Sequence, residues 1–130
     1  MTRDGKPVVL LIVEDDREMR SLLRDDLCSL GVSIREAEDG DAALQTVLDS
    51  PPDVIVTDLR MPAGGLDYLA RLRAFAPSTP IVVMTSFGDT KTKAEVMATG
   101  ISAYFDKPLR LAQLRAKITE LLAPSIDKDS

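Results

Sequence analysis

Histidine is absent from this sequence of 130 residues. The chain therefore cannot supply a histidine general base, a histidine metal ligand, or the histidine partner of a nucleophilic serine or cysteine. Cysteine occurs once, as Cys28, so no intrachain disulfide can form and a cytoplasmic location is the natural expectation. We expect Cys28 itself to lie in the core or at its boundary.

Long apolar runs and an excess of basic charge are also missing. The longest wholly apolar run, Pro7 to Val13, is too short to span a bilayer, and we find no pattern typical of a secretory leader. The formal charge of −5 argues against a direct nucleic-acid surface, which requires clustered lysine and arginine. We assign residues 1–124 to a single globular domain and residues 125–130 to a polar tail or the start of a linker.

Five short apolar or alternating segments predict β-strands that begin near residues 8, 32, 54, 81 and 101. Helical periodicity between them indicates right-handed crossovers and a mostly parallel sheet. The pattern predicts an α/β fold, a flavodoxin-like doubly wound (βα)5 sandwich whose five-stranded parallel sheet has the order 2-1-3-4-5. We expect Met1 to Lys6 to be frayed and Pro124 to end the last helix.

The apolar residues of the helices are assigned to the core by their spacing. In the first three helices the expected inward-facing residues include Met19, Leu22, Leu23, Leu27, Leu30, Ala42, Ala43, Val47, Leu48, Leu66, Leu69, Leu72 and Phe75. Met84 and Met97 are also expected to pack in the interior. The fourth helix is expected to begin at Asp89 or Thr90.

Polar side chains follow four of the five predicted strands. They are Glu14, Asp15 and Asp16 after the first strand, Asp58 at the end of the third, Thr85 at the end of the fourth, and Lys107 after the fifth. Because the carboxyl ends of parallel strands lie at one rim of the sheet, we expect these side chains to converge there.

The converging residues suit phosphoryl transfer assisted by a metal ion. Carboxylates held close together repel one another unless a cation neutralises them, and oxygen ligands favour Mg²⁺. A carboxylate can attack a phosphoryl group, so we interpret Asp58 as a phosphoryl-accepting nucleophile. Mg²⁺ and Lys107 would balance the charge of the transferring oxygens, and the Thr85 hydroxyl would donate a hydrogen bond to one of them. Asp16 either caps the first helix or contributes to the metal site.

Four motifs, in order along the chain, resemble those of the receiver domain of bacterial two-component response regulators. The resemblance covers about residues 8–122. The motifs are Leu11-Ile12-Val13-Glu14-Asp15-Asp16, Val56-Thr57-Asp58-Leu59-Arg60-Met61-Pro62, Val83-Met84-Thr85-Ser86 and Tyr104-Phe105-Asp106-Lys107-Pro108.

This resemblance implies a role for each acid at the rim. Asp58 would be the phosphoacceptor, and Asp15 would bind the metal directly. Glu14 would act on the metal through water, and the main-chain carbonyl of Arg60 would complete the protein's ligands for Mg²⁺.

The resemblance also implies a switch. Thr85 and Tyr104 would couple phosphorylation to a shift of the face formed by the fourth helix, the fifth strand and the fifth helix. The peptide bond between Lys107 and Pro108 is expected to be cis.

The partners implied are those of a signalling domain. A sensor histidine kinase or a histidine phosphotransfer protein would supply the phosphohistidine and dock on the first helix. A downstream output protein or domain would respond to the switch face, and a homodimer could form through that face on phosphorylation. Neither nucleic acid nor a membrane is expected as a direct partner. Such a domain catalyses its own phosphorylation and dephosphorylation but is a switch, not an enzyme with a separate substrate.

Two features depart from the family's usual pattern. Only Ala63 and Gly64 separate Pro62 from Gly65, where three residues, commonly ending in an acid, are usual. Arg60 and Phe87 occupy variable positions beside the phosphorylation site, where a bulky cation could screen the phosphoryl group from water.

Other functions remain as alternatives. A haloacid-dehalogenase-like phosphatase would require a second acid two residues after Asp58, where this chain has Arg60. A flavin or dinucleotide domain would require a glycine-rich loop after the first strand. The chain could also be a receiver excised from a longer transcription activator, or a degenerate receiver that acts only as a protein-binding module.

Overall fold

A computed structural model of the chain describes residues 2–86 and 90–126, with side chains through residue 123. Its main sheet has five parallel strands: β1 (Val9–Val13), β2 (Ser33–Ala37), β3 (Val54–Asp58), β4 (Ile81–Thr85) and β5 (Ala103–Asp106). The helices of the described residues are α1 (Arg17–Leu27), α2 (Gly40–Asp49), α3 (Leu66–Phe75), α4 (Thr90–Met97) and α5 (Leu111–Ile126), with a short 3-10 turn at Cys28–Leu30.

The sheet order is β2-β1-β3-β4-β5, which confirms the predicted order and the doubly wound fold. Strand β2 lies at an edge and is half-exposed, whereas every residue of β3 and β4 is buried. The two faces of the sheet form two separate core layers because side chains alternate along each strand. One layer contains residues of α2, α3 and α4, and the other contains residues of α1 and α5. None of the described helices has the length and apolar character that crossing a bilayer requires.

The prediction of a frayed amino terminus is wrong for the described residues from Thr2 onward. Two short antiparallel strands, Thr2–Arg3 and Lys6–Pro7, form a hairpin around Asp4 and Gly5, which both have positive φ. Aspartate followed by glycine favours this tight turn. Asp53 anchors the hairpin, because its carboxylate accepts hydrogen bonds from the Arg3 guanidinium at 2.6 Å and from the Val9 amide at 2.7 Å.

Several helix residues that their spacing assigns to the core are exposed. Leu22 directly precedes a buried residue, and Leu48 directly follows one. Each therefore points about 100° away from that buried neighbour around the helix axis. On α3, a spacing of three rotates each successive residue backward by about 60°, so the ends of the row leave the buried face. The large hydrophobic residues that are exposed, among the described ones, are Leu22, Leu48, Leu66, Phe75 and Met97. Cys28 is exposed as well.

The last helix continues two residues beyond the predicted stop at Pro124 and ends at Ile126. A proline removes one amide donor from a helix, and near the end of the helix this loss affects few backbone hydrogen bonds. Residues 127–130 of the predicted tail, together with Phe87 and Asp89, lie outside the described residues.

The shortened connection between β3 and α3 makes a tight turn against α2. The Gly64 amide donates to the Met61 carbonyl at 3.0 Å, and Ala63 has a φ of 59°, a conformation that usually favours glycine or asparagine. The Gly40 amide donates to the Pro62 carbonyl at 3.0 Å. A Cβ atom on Gly40 would overlap with the carbonyl group of Ala63, so glycine is needed at this close approach.

We predict that Gly40→Ala destabilises the protein by about 1–3 kcal/mol, because the added methyl group forces the Ala63 carbonyl away. Helix propensity alone predicts the opposite sign, a gain of about 1 kcal/mol. Urea unfolding should separate the two. The control is Asp41→Ala at the exposed neighbouring position, which should change stability by no more than about 0.5 kcal/mol. A Gly40→Ala protein as stable as the wild type would contradict the close packing of this turn.

Candidate functional site

The carboxyl ends of the parallel strands bring the predicted polar residues to one rim. Asp58 is the last residue of β3 and only 3% exposed, and Glu14, directly after β1, is 1% exposed. Thr85 ends β4 and is buried, and Lys107 directly follows β5. The side chains of Val54, Val56 and Asp58 alternate with those of Ile55 and Thr57, which directs Asp58 to the same side of the sheet as α1 and α5.

Lys107 lies between two buried carboxylates. Its Nζ atom donates to Glu14 Oε1 at 2.6 Å and to Asp58 Oδ2 at 2.7 Å. Two acids removed from water in this way are stable in charged form only if a cation compensates them. The lysine therefore joins the ends of β1, β3 and β5 at the rim.

The other oxygen of Asp58 accepts backbone hydrogen bonds. Oδ1 lies 2.6 Å from the Leu59 amide and 3.1 Å from the Arg60 amide. With Lys107 at Oδ2, donors contact both carboxylate oxygens, which fixes the orientation of the side chain at the strand end.

The acids at the rim also form a group that could hold a metal ion. Glu14, Asp15 and Asp58 each offer a carboxylate oxygen, and these oxygens lie within 4.8 Å of one another. Asp15 is exposed, so the group is open to solvent on its side. Hard oxygen ligands of this kind fit Mg²⁺. Asp16 has the capping role that was one of its two predicted roles. Its carboxylate caps α1 by accepting a hydrogen bond from the Glu18 amide at 3.0 Å.

Burial and charge shift the pKa values of two groups. Burial raises the pKa of the Glu14 carboxyl, and repulsion from Asp58 acts in the same direction, against the hydrogen bonds that Glu14 accepts from Lys107 and from the Asp16 amide. Burial alone would lower the pKa of Lys107, but its hydrogen bonds to Asp58 and Glu14 outweigh burial and raise it. Lys107 therefore remains a cation at neutral pH.

Arg60 and Thr85 meet at the loop after β4. The Arg60 Nε atom donates to the Ser86 carbonyl at 2.8 Å, and the Thr85 hydroxyl lies 3.5 Å from the same oxygen. The exposed Arg60 side chain thus crosses from the loop after β3 to the loop after β4.

Tyr104 lies on β5, away from the carboxylates. Its ring is half-buried against the core layer of α2, α3 and α4, its hydroxyl oxygen is buried, and the Lys93 ammonium lies 5.4 Å from the ring centre.

Lys107 is held by its backbone too, since its amide donates to the Thr85 carbonyl at 3.0 Å. The peptide bond between Lys107 and Pro108 is cis.

Sequence reasoning missed one buried polar pair beside the site. Thr57 Oγ1 and the Tyr68 hydroxyl lie 2.8 Å apart, and both residues are buried. A hydroxyl residue in an otherwise apolar buried strand is a usable signal, because a buried hydroxyl requires a partner.

The family model described as the response regulator receiver domain matches residues 10–119 of the chain. The chain belongs to this family. Receiver domains of this kind are the signalling domains of two-component systems, so the expected family is confirmed.

Curated relatives of this receiver domain are longer proteins. The response regulator MprA of Mycobacterium sp. (strain KMS) is 35% identical over 117 residues, which span 89% of this chain and 51% of the relative. The sensor histidine kinase TmoS of Ectopseudomonas mendocina is 33% identical over 124 residues, or 93% of this chain and 13% of that protein. The chain thus spans about half the length of the MprA proteins that it matches.

Solved structures share the fold of this receiver domain. A putative response regulator from Chloroflexus aurantiacus J-10-fl is 30% identical, with a TM-score of 0.82 over 91% of this chain and 99% of the other. The chemotaxis protein CheY4 of Vibrio cholerae is 26% identical, with a TM-score of 0.80 over 89% of this chain and 99% of the other.

We predict that, with a chelator present, Glu14→Gln raises the melting temperature at pH 7 and that this gain disappears in acid. The folded protein holds a proton on Glu14 at pH values where the unfolded chain has lost it, because the pKa is raised from its ordinary value of 4.5. The contribution of Glu14 to the stability of the wild type is therefore fully present below about pH 4.5 and is lost as the pH rises through the raised pKa. Glutamine removes this dependence and still offers Lys107 an acceptor.

Melting curves across this pH range check the prediction. Glu38→Gln, at an exposed glutamate, is the control and should follow the wild type. A difference between Glu14→Gln and wild type that stays constant with pH would contradict the raised pKa of Glu14.

Proposed function

We propose that this receiver domain accepts a phosphoryl group on Asp58 from a phosphohistidine of a sensor histidine kinase or a histidine phosphotransfer protein. The observation that carries the proposal is the contact of Lys107 with both Glu14 and Asp58, because it joins a buried nucleophile, a cation and further acids at one open rim. Membership in the receiver family supports the same function.

In the proposed reaction, a carboxylate oxygen of Asp58 attacks the phosphorus atom, and the bond between phosphorus and the imidazole nitrogen breaks. The electron pair of that bond remains on the imidazole, and an aspartyl-phosphate forms. The Lys107 ammonium, now 2.7 Å from Oδ2, would stay beside the phosphoryl oxygens and offset their charge. The amides of Leu59 and Arg60 keep the carboxylate oriented during the attack.

The metal-binding part of the proposal assigns Mg²⁺ to Glu14, Asp15, Asp58 and the main-chain carbonyl of Arg60. The three carboxylates fit a hard divalent cation, because among the described residues one lysine, Lys107, offsets their charge. When bound, Mg²⁺ would neutralise charge on the transferring phosphoryl oxygens.

The proposed switch uses Thr85 and Tyr104. The Thr85 hydroxyl would leave the neighbourhood of the Ser86 carbonyl to donate to a phosphoryl oxygen, and Ser86 would shift with it. The Tyr104 ring, under Lys93, would follow this movement and alter the face of α4, β5 and α5. An output domain or protein would bind this face, and phosphorylation would favour a homodimer through it.

We further propose that the domain works in the cytoplasm as a switch that catalyses its own phosphorylation and dephosphorylation. The length of the MprA relatives supports a receiver that belongs to a longer regulator, as in a transcription activator. The intact set of Asp15, Asp58, Thr85 and Lys107 argues against a degenerate receiver that only binds proteins.

We predict that acetyl phosphate with Mg²⁺ adds one phosphoryl group to the protein and that Asp58→Asn abolishes the addition. Asparagine keeps the shape of the side chain but is not a nucleophile for phosphorus. Intact-mass spectrometry measures the adduct. The matched control is Asp67→Asn on α3, whose side chain is 88% exposed, and it should be phosphorylated like the wild type. A wild type without any Mg²⁺-dependent adduct would refute the proposed function.

We also predict that Mg²⁺ raises the melting temperature by relieving the repulsion among the acids at the rim. At a free Mg²⁺ concentration ten times the dissociation constant, binding of one ion stabilises the fold by about 1.4 kcal/mol. This corresponds to a rise in melting temperature of roughly 4–6 °C in a domain of this size. Asp15→Asn should remove most of this shift, because Asp15 is the exposed acid of the group. Asp25→Asn, an exposed acid on α1, should retain it. No shift in the wild type at millimolar Mg²⁺ would indicate a degenerate site.

A further inference from the structure

Thr57 and Tyr68 form a hydrogen-bonded pair on the side of β3 opposite the Asp58 carboxylate. Thr57 is the residue before Asp58 and points into the layer of α2, α3 and α4, where Tyr68 of α3 also packs. Their oxygens are 2.8 Å apart, and the two residues are 0% and 3% exposed. Neither hydroxyl touches the carboxylates at the rim, so their connection to the site has to run through the backbone.

The direction of these hydrogen bonds follows from the number of protons. The Thr57 hydroxyl donates its one proton to the Asp58 main-chain carbonyl at 2.8 Å. Tyr68 must therefore be the donor to Thr57 Oγ1. Burial raises the pKa of the Tyr68 hydroxyl, so the proton that this bond requires is retained at all ordinary pH values.

The Asp58 carbonyl and the Leu59 amide belong to the same planar peptide unit. One end of this unit accepts from Thr57 at 2.8 Å, and the other end donates to Asp58 Oδ1 at 2.6 Å. Rotation of the unit would weaken both bonds together. A hydrogen bond made on one face of the sheet can thus hold the direction of the carboxylate on the other face.

We propose that Tyr68 is a positioning residue for Asp58 and acts through Thr57 and the Asp58–Leu59 peptide to orient the reactive carboxylate. This inference rests on the proposed function of Asp58 as phosphoacceptor. Tyr68 lies in the first turn of α3, which follows the shortened turn, so the relay also links that helix to the geometry of the site.

The test uses Tyr68→Phe and Thr57→Val, which remove one hydroxyl each and keep most of the packed volume, with Thr57→Ser as the conservative variant. We expect Tyr68→Phe to slow phosphorylation by acetyl phosphate about fivefold at saturating Mg²⁺, as expected for the loss of one neutral hydrogen bond. The concentration of acetyl phosphate that gives half the maximal rate should not change, since Tyr68 does not contact the donor. Thr57→Ser retains the donor and should react close to the wild-type rate.

A double variant tests whether the two hydroxyls act as one unit. Tyr68→Phe combined with Thr57→Val should be no slower than Thr57→Val alone, because both changes break the same chain of hydrogen bonds. Independent contributions would instead multiply, to about 25-fold if each alone is about fivefold.

An NMR measurement distinguishes a positioning role from a purely structural one, because only a positioning role changes the resonance of the Leu59 amide proton. The Leu59 amide proton donates to a carboxylate in the wild type, and we expect its resonance to shift upfield in Tyr68→Phe and Thr57→Val as that bond lengthens. Val47→Ala is the control, because Val47 is buried in the same core layer and its side chain has no hydroxyl. It should lose stability without a change in rate or in the Leu59 resonance.

The outcomes separate this inference from the proposed function. Failure of the wild type to accept a phosphoryl group overturns both. A phosphorylated wild type with Tyr68→Phe at the same rate overturns only the positioning role, as does a rate loss without a shift of the Leu59 resonance. Equal losses in Tyr68→Phe and Val47→Ala would assign the effect to stability and would also overturn the positioning role.

Discussion

The site depends above all on the ammonium group of Lys107, which lies within hydrogen-bond distance of two buried carboxylates. Glu14 and Asp58 are almost inaccessible to water, so each would be strongly destabilising as an isolated charge. The three groups come from the ends of β1, β3 and β5, and only the assembled sheet brings them together. With Asp15 added, the part of the rim that the structure describes has three acids against one lysine, and this excess of negative charge suits a divalent cation.

The sequence predicts this convergence well because it depends on simple periodic rules. A parallel sheet aligns its strand ends, so a polar residue after each buried run is enough to locate the rim. The same rules fail where a contact is distant or where a spacing only approximates the helical repeat. The amino-terminal hairpin is anchored by Asp53, which lies 50 residues from Arg3, and no local pattern reveals that contact. Leu66 and Phe75 fit a spacing of three but lie at the ends of a row that rotates off the buried face of α3.

The buried hydrogen bond between Thr57 and Tyr68, beside the site, is harder to predict than the residues at the rim. Thr57 lies within an apolar run, and the identity of its partner depends on how α3 packs over β3. A buried hydroxyl signals that some partner exists, but the sequence does not say whether that partner is backbone, side chain or water. The structure identifies Tyr68.

The shortened turn after Pro62 connects these observations, because Asp58, Arg60 and Tyr68 lie with it in one stretch of eleven residues, 58–68. A long loop would allow α3 to move without disturbing β3. Here the turn is closed by the hydrogen bond from the Gly64 amide to the Met61 carbonyl and is packed against Gly40. The strand β3 and the helix α3 can therefore move little relative to one another. Movement of the α3 amino terminus must therefore be accommodated either by the turn, where Ala63 already has a positive φ, or by the pair of Thr57 and Tyr68. The short turn and the buried contact between Thr57 and Tyr68 are both consistent with the proposed positioning role, because each limits the movement of α3 relative to β3.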